Sequence, residues 1–399
     1  MRILMVTHYF DSHRGGIELI AEKLFGGLVG RQCEVEWAAA SVSPAPAEVA
    51  GGTPLPLKSW NGVETVTGLP FPVPSVGALK DLCSRVDRTD IVLLHDCLYL
   101  ANIAAFLRAR TRGVPVLIVQ HIGLVPYRNF LLRTLMSMAN AFVTRRMLAS
   151  AQQVIFYSEN IARYFASVPF RQPPALVFNG VDTQVFSPLR EGENRETIRE
   201  NLGLPRQGRV VLFVGRFVEK KGIAAMKRMV EMRPDWTWAF AGWGPLDPGS
   251  WNAANVRVLS NLRGASMAAL YRACDLLVLP STGEGFPLVV QEALACGLPV
   301  VCGAETVGAD EALREFVQGT PVYVGDDDRT AREFLRAIDG LFNSGVELKT
   351  QAEERHAFVV SRYSWHHTIE RYLEIASRLI PSTVSPTAEV EAGTGKGCR

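Results

Sequence analysis

The same sequence pattern occurs in both halves of the chain: short apolar segments alternate with segments of helical periodicity. This alternation is typical of parallel β-sheets built from βαβ units, because each parallel strand needs a crossover before the next strand. We predict a first series of strands at residues 3–7, 35–38, 91–94, 116–119, 154–157 and 175–178. A second series is predicted at residues 210–214, 237–241, 256–259, 276–279, 299–301 and 321–324. We therefore expect an α/β protein with two parallel-sheet domains that face a cleft.

The length of 399 residues is sufficient for two domains of ordinary size. A highly charged, proline-containing segment separates the two series, so we place the first domain at residues 1–186 and the second at 187–364. A helical pattern at about residues 365–380 is expected to complete the first domain. The tail, 381–399, is rich in Ser, Thr, Gly and Glu and is expected to be disordered. Residues 44–74, rich in proline and glycine, are predicted to be irregular, with one hairpin at most.

The composition argues against several classes of protein. With 48% hydrophobic and 21% charged residues, the chain is typical of a globular protein. Its formal net charge of +2 gives no indication of a nucleic-acid-binding protein. Seven widely spaced cysteines form no CxxC pair, which favours reduced thiols. The first apolar segment is too short for an export signal, and no segment reaches the ~18 apolar residues of a spanning helix. We therefore expect a cytoplasmic protein.

A basic loop follows the first strand of the second series. This strand ends at Gly215, and Arg216 and Lys221 follow before the next helix. A guanidinium can bind two phosphate oxygens at once, a lysine adds a compact charge, and a helix N-terminus offers amide donors. The loop is therefore suited to binding a diphosphate. The alternative is a solvated basic loop with no ligand.

A loop with two glycines follows the predicted strand 276–279. Glu284 lies in this loop, and seven residues separate it from Glu292 in the next helix. Glycines let backbone amides approach a ligand closely, and a carboxylate that accepts from paired hydroxyls is the usual contact of a protein with ribose. The neighbours of Glu292 are almost all apolar, so we expect this acid to have a partner. The alternative is that Glu284 favours the helix N-terminus electrostatically and Glu292 is a surface acid.

Five motifs together resemble a known family. They are N-G-V-D at 179–182, G-R and K-G within 215–222, A-G-W-G-P at 241–245, P-S and E-G-F within 280–286, and E-A-L-A-C-G-L-P-V-V at 292–301. In this order they resemble the retaining GT-B glycosyltransferases marked by an E-x7-E motif, known as glycosyltransferase family 4. The resemblance covers about residues 1–380. It implies a GT-B architecture, in which two Rossmann-like domains bind a nucleotide-sugar donor and an acceptor on opposite sides of the cleft.

The resemblance also implies roles for residues of the second domain. Arg216 and Lys221 would clamp the donor diphosphate and stabilise the leaving nucleotide, and Glu292 would bind the ribose hydroxyls. Glu284 would hold the transferred sugar and its phosphate. It would act together with the amides of Gly285, Phe286 and Pro287. Residues 259–262, ending at Leu262, would contact the base, although Ser260 stands where the family often has glycine.

On the first domain, the resemblance implies that Gly15 and Gly16 let backbone amides approach phosphate or sugar. His121 follows the predicted strand 116–119, where family members often carry a histidine that faces the transferred sugar. We assign His121, Glu284, Arg216 and Lys221 to catalysis. The alternative for His121 is a structural histidine. His8 and the pair His95 and Asp96 also follow strands and are further candidates for acceptor contacts.

The expected reaction needs neither a metal nor a cofactor. The donor is a substrate, and a UDP- or GDP-sugar is expected. The acidic residues 326–328 lie away from the motifs and are interpreted as a solvated turn and helix cap. Retention of configuration follows from the resemblance, and since the sequence offers no convincing nucleophile, we favour front-face displacement. The predicted acceptor is a glycan or a lipid-linked glycan.

Three alternatives remain open at this point. A GT-B-like sugar-nucleotide epimerase would share the two domains, and a non-catalytic nucleotide- or glycan-binding protein would share the donor site. A dinucleotide-binding dehydrogenase is poorly supported, because no GxGxxG follows the first strand.

Residues 126–148 are the segment most informative about location. They mix large apolar side chains with four arginines and contain no acid. A basic amphipathic helix of this kind can lie on an anionic membrane surface, which would suit a lipid-linked acceptor. The alternative is one or two core helices with exposed arginines. We therefore expect a cytoplasmic protein and add, as a hypothesis, peripheral contact with the inner face of the membrane.

Overall fold

The computed structural model describes residues 1–13, 16–42, 44–67, 69–123, 130–283, 285–343 and 351–380. The strands of the first half are β1 (Arg2–Tyr9), β2 (Glu34–Ala40), β3 (Gly52–Leu57), β4 (Ser59–Trp60), β5 (Val73–Pro74), β6 (Ile91–His95), β7 (Val116–Gln120), β8 (Gln153–Phe156) and β9 (Ala175–Leu176). Seven of them form a parallel sheet in the order β3-β2-β1-β6-β7-β8-β9. The short strands β4 and β5 form a separate antiparallel pair.

Helices lie between most of these strands. They are α1 (Gly16–Val29), α2 (Gly62–Thr67), α3 (Val76–Val86), α4 (Leu100–Arg112), α5 (Phe130–Ala139), α6 (Arg145–Ser150) and α7 (Glu159–Tyr164). A π-helical segment, Asn140–Thr144, joins α5 to α6, so that the described part of 126–148 is helical. Residues 126–129 lie outside the described residues.

The second half forms a second parallel sheet in the order β12-β11-β10-β13-β14-β15. Its strands are β10 (Val210–Arg216), β11 (Thr237–Trp243), β12 (Val256–Leu259), β13 (Leu276–Leu279), β14 (Val300–Gly303) and β15 (Val317–Thr320). The helices after residue 187 are α8 (Arg195–Asn201), α9 (Ile223–Met232), α10 (Ala265–Ala273), α11 (Leu288–Ala295), α12 (Ala304–Val307), α13 (Asp327–Asn343), α14 (Ala352–Tyr363) and α15 (Trp365–Leu379). The predicted fold class, two parallel-sheet α/β domains, is confirmed.

Both faces of the first sheet are buried, which explains why its strands are nearly continuous apolar segments. Leu4 and Val6 of β1 pack on one face, whereas Ile3 and Met5 pack on the other. The second face is also covered by α15, whose Ile369 lies in the same buried cluster as these residues. Helix α15, the last helix in the described part of the chain, thus packs on the first sheet. The domain boundaries at residues 186 and 364 stay predictions.

Two predictions about strands are wrong. Strand β3 was expected to be irregular, yet Pro54 and Pro56 are tolerated because β3 is an edge strand, where half of the backbone N–H groups face no partner. The strand predicted at 321–324 lies instead at Val317–Thr320. Pro321 has no N–H to continue the ladder, and the Tyr323 backbone is bonded to the Thr330 side chain of α13.

No helix in the described part of the chain is both long enough and apolar enough to cross a membrane. The expected tail, 381–399, lies outside the described residues.

Candidate active site

The carboxyl ends of the two sheets meet across the space between the domains. A methyl group added to Gly285, after β13, would lie 2.2 Å from the hydroxyl of Tyr157, which follows β8. The Ser158 hydroxyl donates to the Gly285 carbonyl at 3.1 Å. Ligands of open α/β sheets bind beyond the carboxyl ends of the strands, so this junction is the place to look for a site.

The basic loop after β10 is short and tightly folded. Glu219–Lys221 forms a single 3₁₀ turn, and Gly222 starts α9 in the left-handed region with φ 74°. The Lys221 side chain passes over Gly215, where an added Cβ would lie 3.8 Å from its Cε. Arg216 is exposed, and its guanidinium lies 5.0 Å from the ring centroid of Trp243, which is 68% exposed. Two cationic groups and an aromatic surface thus lie at the end of β10.

The structure brings this basic loop into contact with the loop after β13. The Thr282 amide donates to the Lys220 carbonyl at 3.0 Å. A Cβ on Gly222 would lie only 2.3 Å from the Pro280 carbonyl oxygen, so a residue without a side chain is needed for this approach. Two motifs that lie about sixty residues apart in sequence therefore form one surface.

Glu292 has the partner that its apolar neighbours indicated. The hydroxyl of Tyr271, a fully buried residue of α10, donates to Glu292 Oε2 at 2.8 Å. Burial raises the pKa of Glu292, and the hydrogen bond from Tyr271 opposes that rise. Glu292 is thus a half-buried acid with a buried partner, and its ribose contact stays a prediction.

The structure describes three of the four other side chains that were predicted to bind the donor. Glu284 lies outside the described residues. Phe286 is buried between the domains, where its ring contacts Phe178 and Tyr363 edge to face. Pro287 immediately precedes α11 as its N-cap, but proline has no N–H, so its expected role as an amide donor is wrong. Leu262 is partly buried against the core of the second domain beyond β12.

On the first domain, His121 belongs to a buried polar network. Its Nε2 lies 2.9 Å from Nδ1 of His95. Asp96 Oδ1 accepts the amides of His121 and Ile122 at 2.8 and 3.1 Å. Asp96 has φ 65°, an unusual conformation for a residue other than glycine, and Asn102 holds it by donating to its carbonyl at 2.8 Å. Asp96 thus fixes the backbone that carries His121.

Burial sets the protonation of this network. It lowers the pKa of His95 to about 3, and, with the neighbouring histidines, holds the pKa of His121 well below its ordinary value. Both imidazoles are therefore neutral at physiological pH. Burial raises the pKa of Asp96 to about 6, despite the amide bonds that favour its charged form.

A second polar cluster surrounds the end of β1. Glu64 of α2 accepts the Asn61 amide at 2.7 Å and lies 2.7 Å from the Tyr9 hydroxyl and 3.0 Å from His13 Nε2. Partial burial would raise the pKa of Glu64, but these hydrogen bonds outweigh it and lower the pKa. Glu18, in the first turn of α1, lies 2.9 Å from His8 Nε2.

The predicted glycine loop of the first domain is only partly described. Gly16 is the first residue of α1, with open space where a Cβ would be, and Gly15 lies outside the described residues. Among the acidic residues 326–328, the Asp326 carboxylate accepts the Arg329 amide at 2.9 Å, which confirms the helix cap.

The sequence does not indicate the side chains that join the motifs, Tyr157 and Tyr271, or the cluster around Glu64. Each depends on contacts between distant parts of the chain. The exposed Trp243 could have been found, since it stands between two glycines in a quoted motif.

Comparison with known proteins identifies two family domains. Residues 14–185 match Glycosyltransferase Family 4, and residues 194–355 match Glycosyl transferases group 1. The D-inositol 3-phosphate glycosyltransferase of Mycobacterium marinum is 31% identical over 255 residues, covering 59% of this chain and 52% of the relative. The enzyme of the same name from Mycolicibacterium gilvum is 28% identical over 306 residues, covering 72% and 66%. The chain thus spans between about half and two thirds of the length of these relatives.

Solved structures share the fold at low sequence identity. Sucrose-phosphate synthase from Thermosynechococcus elongatus superposes with a TM-score of 0.68 at 18% identity, covering 95% of this chain and 99% of that chain. HepE from Anabaena, in complex with UDP and glucose, superposes with a TM-score of 0.65 at 18% identity, covering 95% and 100%. The architecture is therefore GT-B.

The buried Asp96 yields a prediction about pH and stability. Asn at this position keeps the acceptor oxygen and tolerates positive φ, but cannot ionise. Because the folded pKa of Asp96 is raised to about 6, its protonated form stabilises the wild type at low pH, and this contribution is lost as the pH rises through about 6. Asp96→Asn should therefore gain stability relative to the wild type between pH 4 and 7, by on the order of 3 kcal/mol.

Denaturant unfolding at several pH values measures this difference. A stability difference for Asp96→Asn that stays constant from pH 4 to 7 would refute the prediction.

Proposed function

Because a Glycosyltransferase Family 4 domain and a Glycosyl transferases group 1 domain are joined here in a GT-B fold, we propose that the protein is a glycosyltransferase. It moves a sugar from a nucleotide-diphosphate sugar to a glycan or lipid-linked acceptor. The observation that carries the proposal is the contact between the basic loop 215–222 and the loop 280–285, at the edge that faces the first domain.

In this proposal the donor lies on the second domain. Arg216 and Lys221 bind the diphosphate, and Glu292 accepts from the ribose hydroxyls. The exposed face of Trp243, beside Arg216, offers an aromatic surface to the nucleotide or sugar. Departure of a nucleotide diphosphate leaves negative charge behind, and each preorganised cation aimed at that charge is worth on the order of 3 kcal/mol.

The sugar itself is proposed to lie between His121 of the first domain and Glu284. A neutral imidazole at His121 can exchange hydrogen bonds with sugar hydroxyls without adding a charge. We propose front-face displacement with retention, as the family resemblance implies, and no catalytic metal, because cations and amides stabilise the leaving group.

Nucleotide binding is the first test. One of UDP, GDP or ADP, or one of their sugar conjugates, should raise the melting temperature, since a ligand at 100 times its Kd stabilises by about 2.7 kcal/mol. Arg216→Ala and Glu292→Gln should each lose at least half of this shift, because each removes a proposed donor contact. The shift should persist in EDTA.

Arg228→Ala is the matched control. Arg228 lies on α9 of the same domain and is paired with Glu231 and Asp328 at the surface, so its loss should leave the shift unchanged. No shift with any nucleotide would contradict the proposed donor site. Binding without transfer or hydrolysis would favour the non-catalytic alternative, and a rearranged sugar nucleotide as product would favour the epimerase.

The charges on the first domain support an acceptor that offers hydroxyl groups rather than phosphate. Four acids, Asp11, Glu18, Glu64 and Asp96, lie near the carboxyl ends of β1 and β6. In the part of the chain that is described, Glu18 and Glu64 contact histidines, and no lysine or arginine forms an ion pair with any of the four acids. Carboxylates bind hydroxyls well and repel phosphates. The acceptor proposed here therefore differs from the phosphate-bearing one that the names of the mycobacterial relatives indicate.

Matched acceptor pairs test this charge preference. We expect inositol to support faster donor turnover than D-inositol 3-phosphate, and glucose faster than glucose 6-phosphate, by about tenfold, because like charges in the site oppose binding. Glu64→Gln should reduce the preference. Faster transfer to the phosphorylated member of each pair would contradict the proposal.

We further propose that α5, α6 and the π-helical segment between them contact an anionic membrane. Met138 and Phe142 are 52% and 56% exposed, and Arg146 lies over the Phe142 ring at 5.8 Å. Such a pairing of exposed apolar and cationic groups suits an interfacial helix. Phosphatidylglycerol vesicles should co-sediment with the protein at low salt, and Phe142→Glu should weaken this by about tenfold, whereas Val324→Glu, at an exposed apolar residue of the second domain, should not. Absence of co-sedimentation for the wild type would exclude the membrane contact.

A further inference from the structure

Tyr157 touches the segment that carries His121. Its hydroxyl donates to the His121 carbonyl at 3.1 Å, and the two ring centroids are 5.4 Å apart. His121 is held from the other side by Asp96, which accepts its amide. The backbone of His121 is thus fixed at both its N–H and its C=O, and Tyr157 provides the second of these bonds.

The same hydroxyl lies against the loop of the second domain. It is the atom nearest to a Cβ built on Gly285, at 2.2 Å, so the Gly285 backbone and the Tyr157 hydroxyl are in close contact. The next residue, Ser158, donates to the Gly285 carbonyl at 3.1 Å. Beyond it, the Glu159 amide donates to the Ala309 carbonyl at 2.8 Å. The turn between β8 and α7 is therefore attached to the second domain by three consecutive residues.

We propose that Tyr157 is a positioning residue that couples the His121 segment to the Gly285 loop, so that a displacement of one is transmitted to the other. The consequence for catalysis rests on the proposed function, in which His121 and the Gly285 loop approach the same sugar from opposite domains. Displacements of about 1 Å in such an arrangement lower rates strongly. Because the Tyr157 hydroxyl contacts both the His121 segment and the Gly285 loop, it sets the distance between them.

A coupling of this kind differs from ordinary packing between domains. Packing alone predicts that loss of the hydroxyl loosens only the His121 carbonyl to which it is bonded. Coupling predicts that both segments loosen.

Hydrogen exchange of the unliganded protein distinguishes the two cases without any need for turnover. In Tyr157→Phe, which keeps the ring, we expect the amides of residues 120–123 and of residues 285–290 to exchange about tenfold faster, the size expected for one lost hydrogen bond. Tyr323→Phe removes a hydroxyl outside this contact and should change neither segment. Faster exchange in residues 120–123 alone would overturn the proposal.

A double-mutant cycle in the transfer reaction gives a second readout. Gly285→Ala places a methyl group against the Tyr157 hydroxyl and should lower kcat more than tenfold, with the Kd for the nucleotide changed less than about twofold. In a Tyr157→Ala background the obstruction is gone, so Gly285→Ala should cost less than about twofold. Independent, additive effects would overturn the coupling. Absence of turnover in the wild type would contradict the proposed function, and the exchange result would still decide the coupling.

Discussion

The relative position of the two half-sites depends on a buried carboxylate where the chain returns to the first domain. Asp310 of the second domain is fully buried and accepts hydrogen bonds from Arg362 and from the Tyr363 hydroxyl, at the end of α14. Next to this carboxylate, the two segments that connect the domains are hydrogen-bonded to each other, since the Val181 amide donates to the Tyr363 carbonyl at 2.6 Å. Loss of Arg362 would remove the cationic partner of this buried carboxylate and is expected to destabilise the junction. The two connecting segments are thereby held side by side, and each sheet directs its carboxyl edge toward the other.

The two edges have different chemistry, and this difference organises the proposed reaction. The second domain carries the cationic side chains of Arg216 and Lys221 near the carboxyl end of β10, where the proposed reaction would develop leaving-group charge. The first domain offers neutral imidazoles and carboxylates that are already engaged in hydrogen bonds, such as Asp96 with two backbone amides. In the proposed function, anion binding and hydroxyl binding are thus separated by domain. The Gly285 loop lies at the boundary between them.

Most of the fold could be predicted from the sequence because parallel strands buried on both faces are continuous apolar segments. Eleven of the twelve predicted strands overlap observed ones. The wrong predictions are local. The prolines of β3 made an edge strand look irregular in sequence. The last strand was predicted to begin at Pro321, whereas it ends just before this proline. For the site, the motifs of the second domain could be located because their glycines and charges follow strands directly. The bonds of Tyr271 with Glu292 and of Tyr157 with His121 could not, because each joins residues brought together only by packing of separate elements.

The position of α15 has a consequence for synthesis of the protein. Ile369, Tyr372 and Ile375 of this last helix lie in the same buried cluster as Leu24 and Phe25 of α1. During translation, the first domain emerges from the ribosome well before this helix and leaves the apolar side of α1 uncovered. The second sheet, ending at Thr320, is complete earlier than the core of the first. We therefore expect the domain that is synthesised first to complete its core last, with the apolar side of α1 uncovered while the second domain is being synthesised.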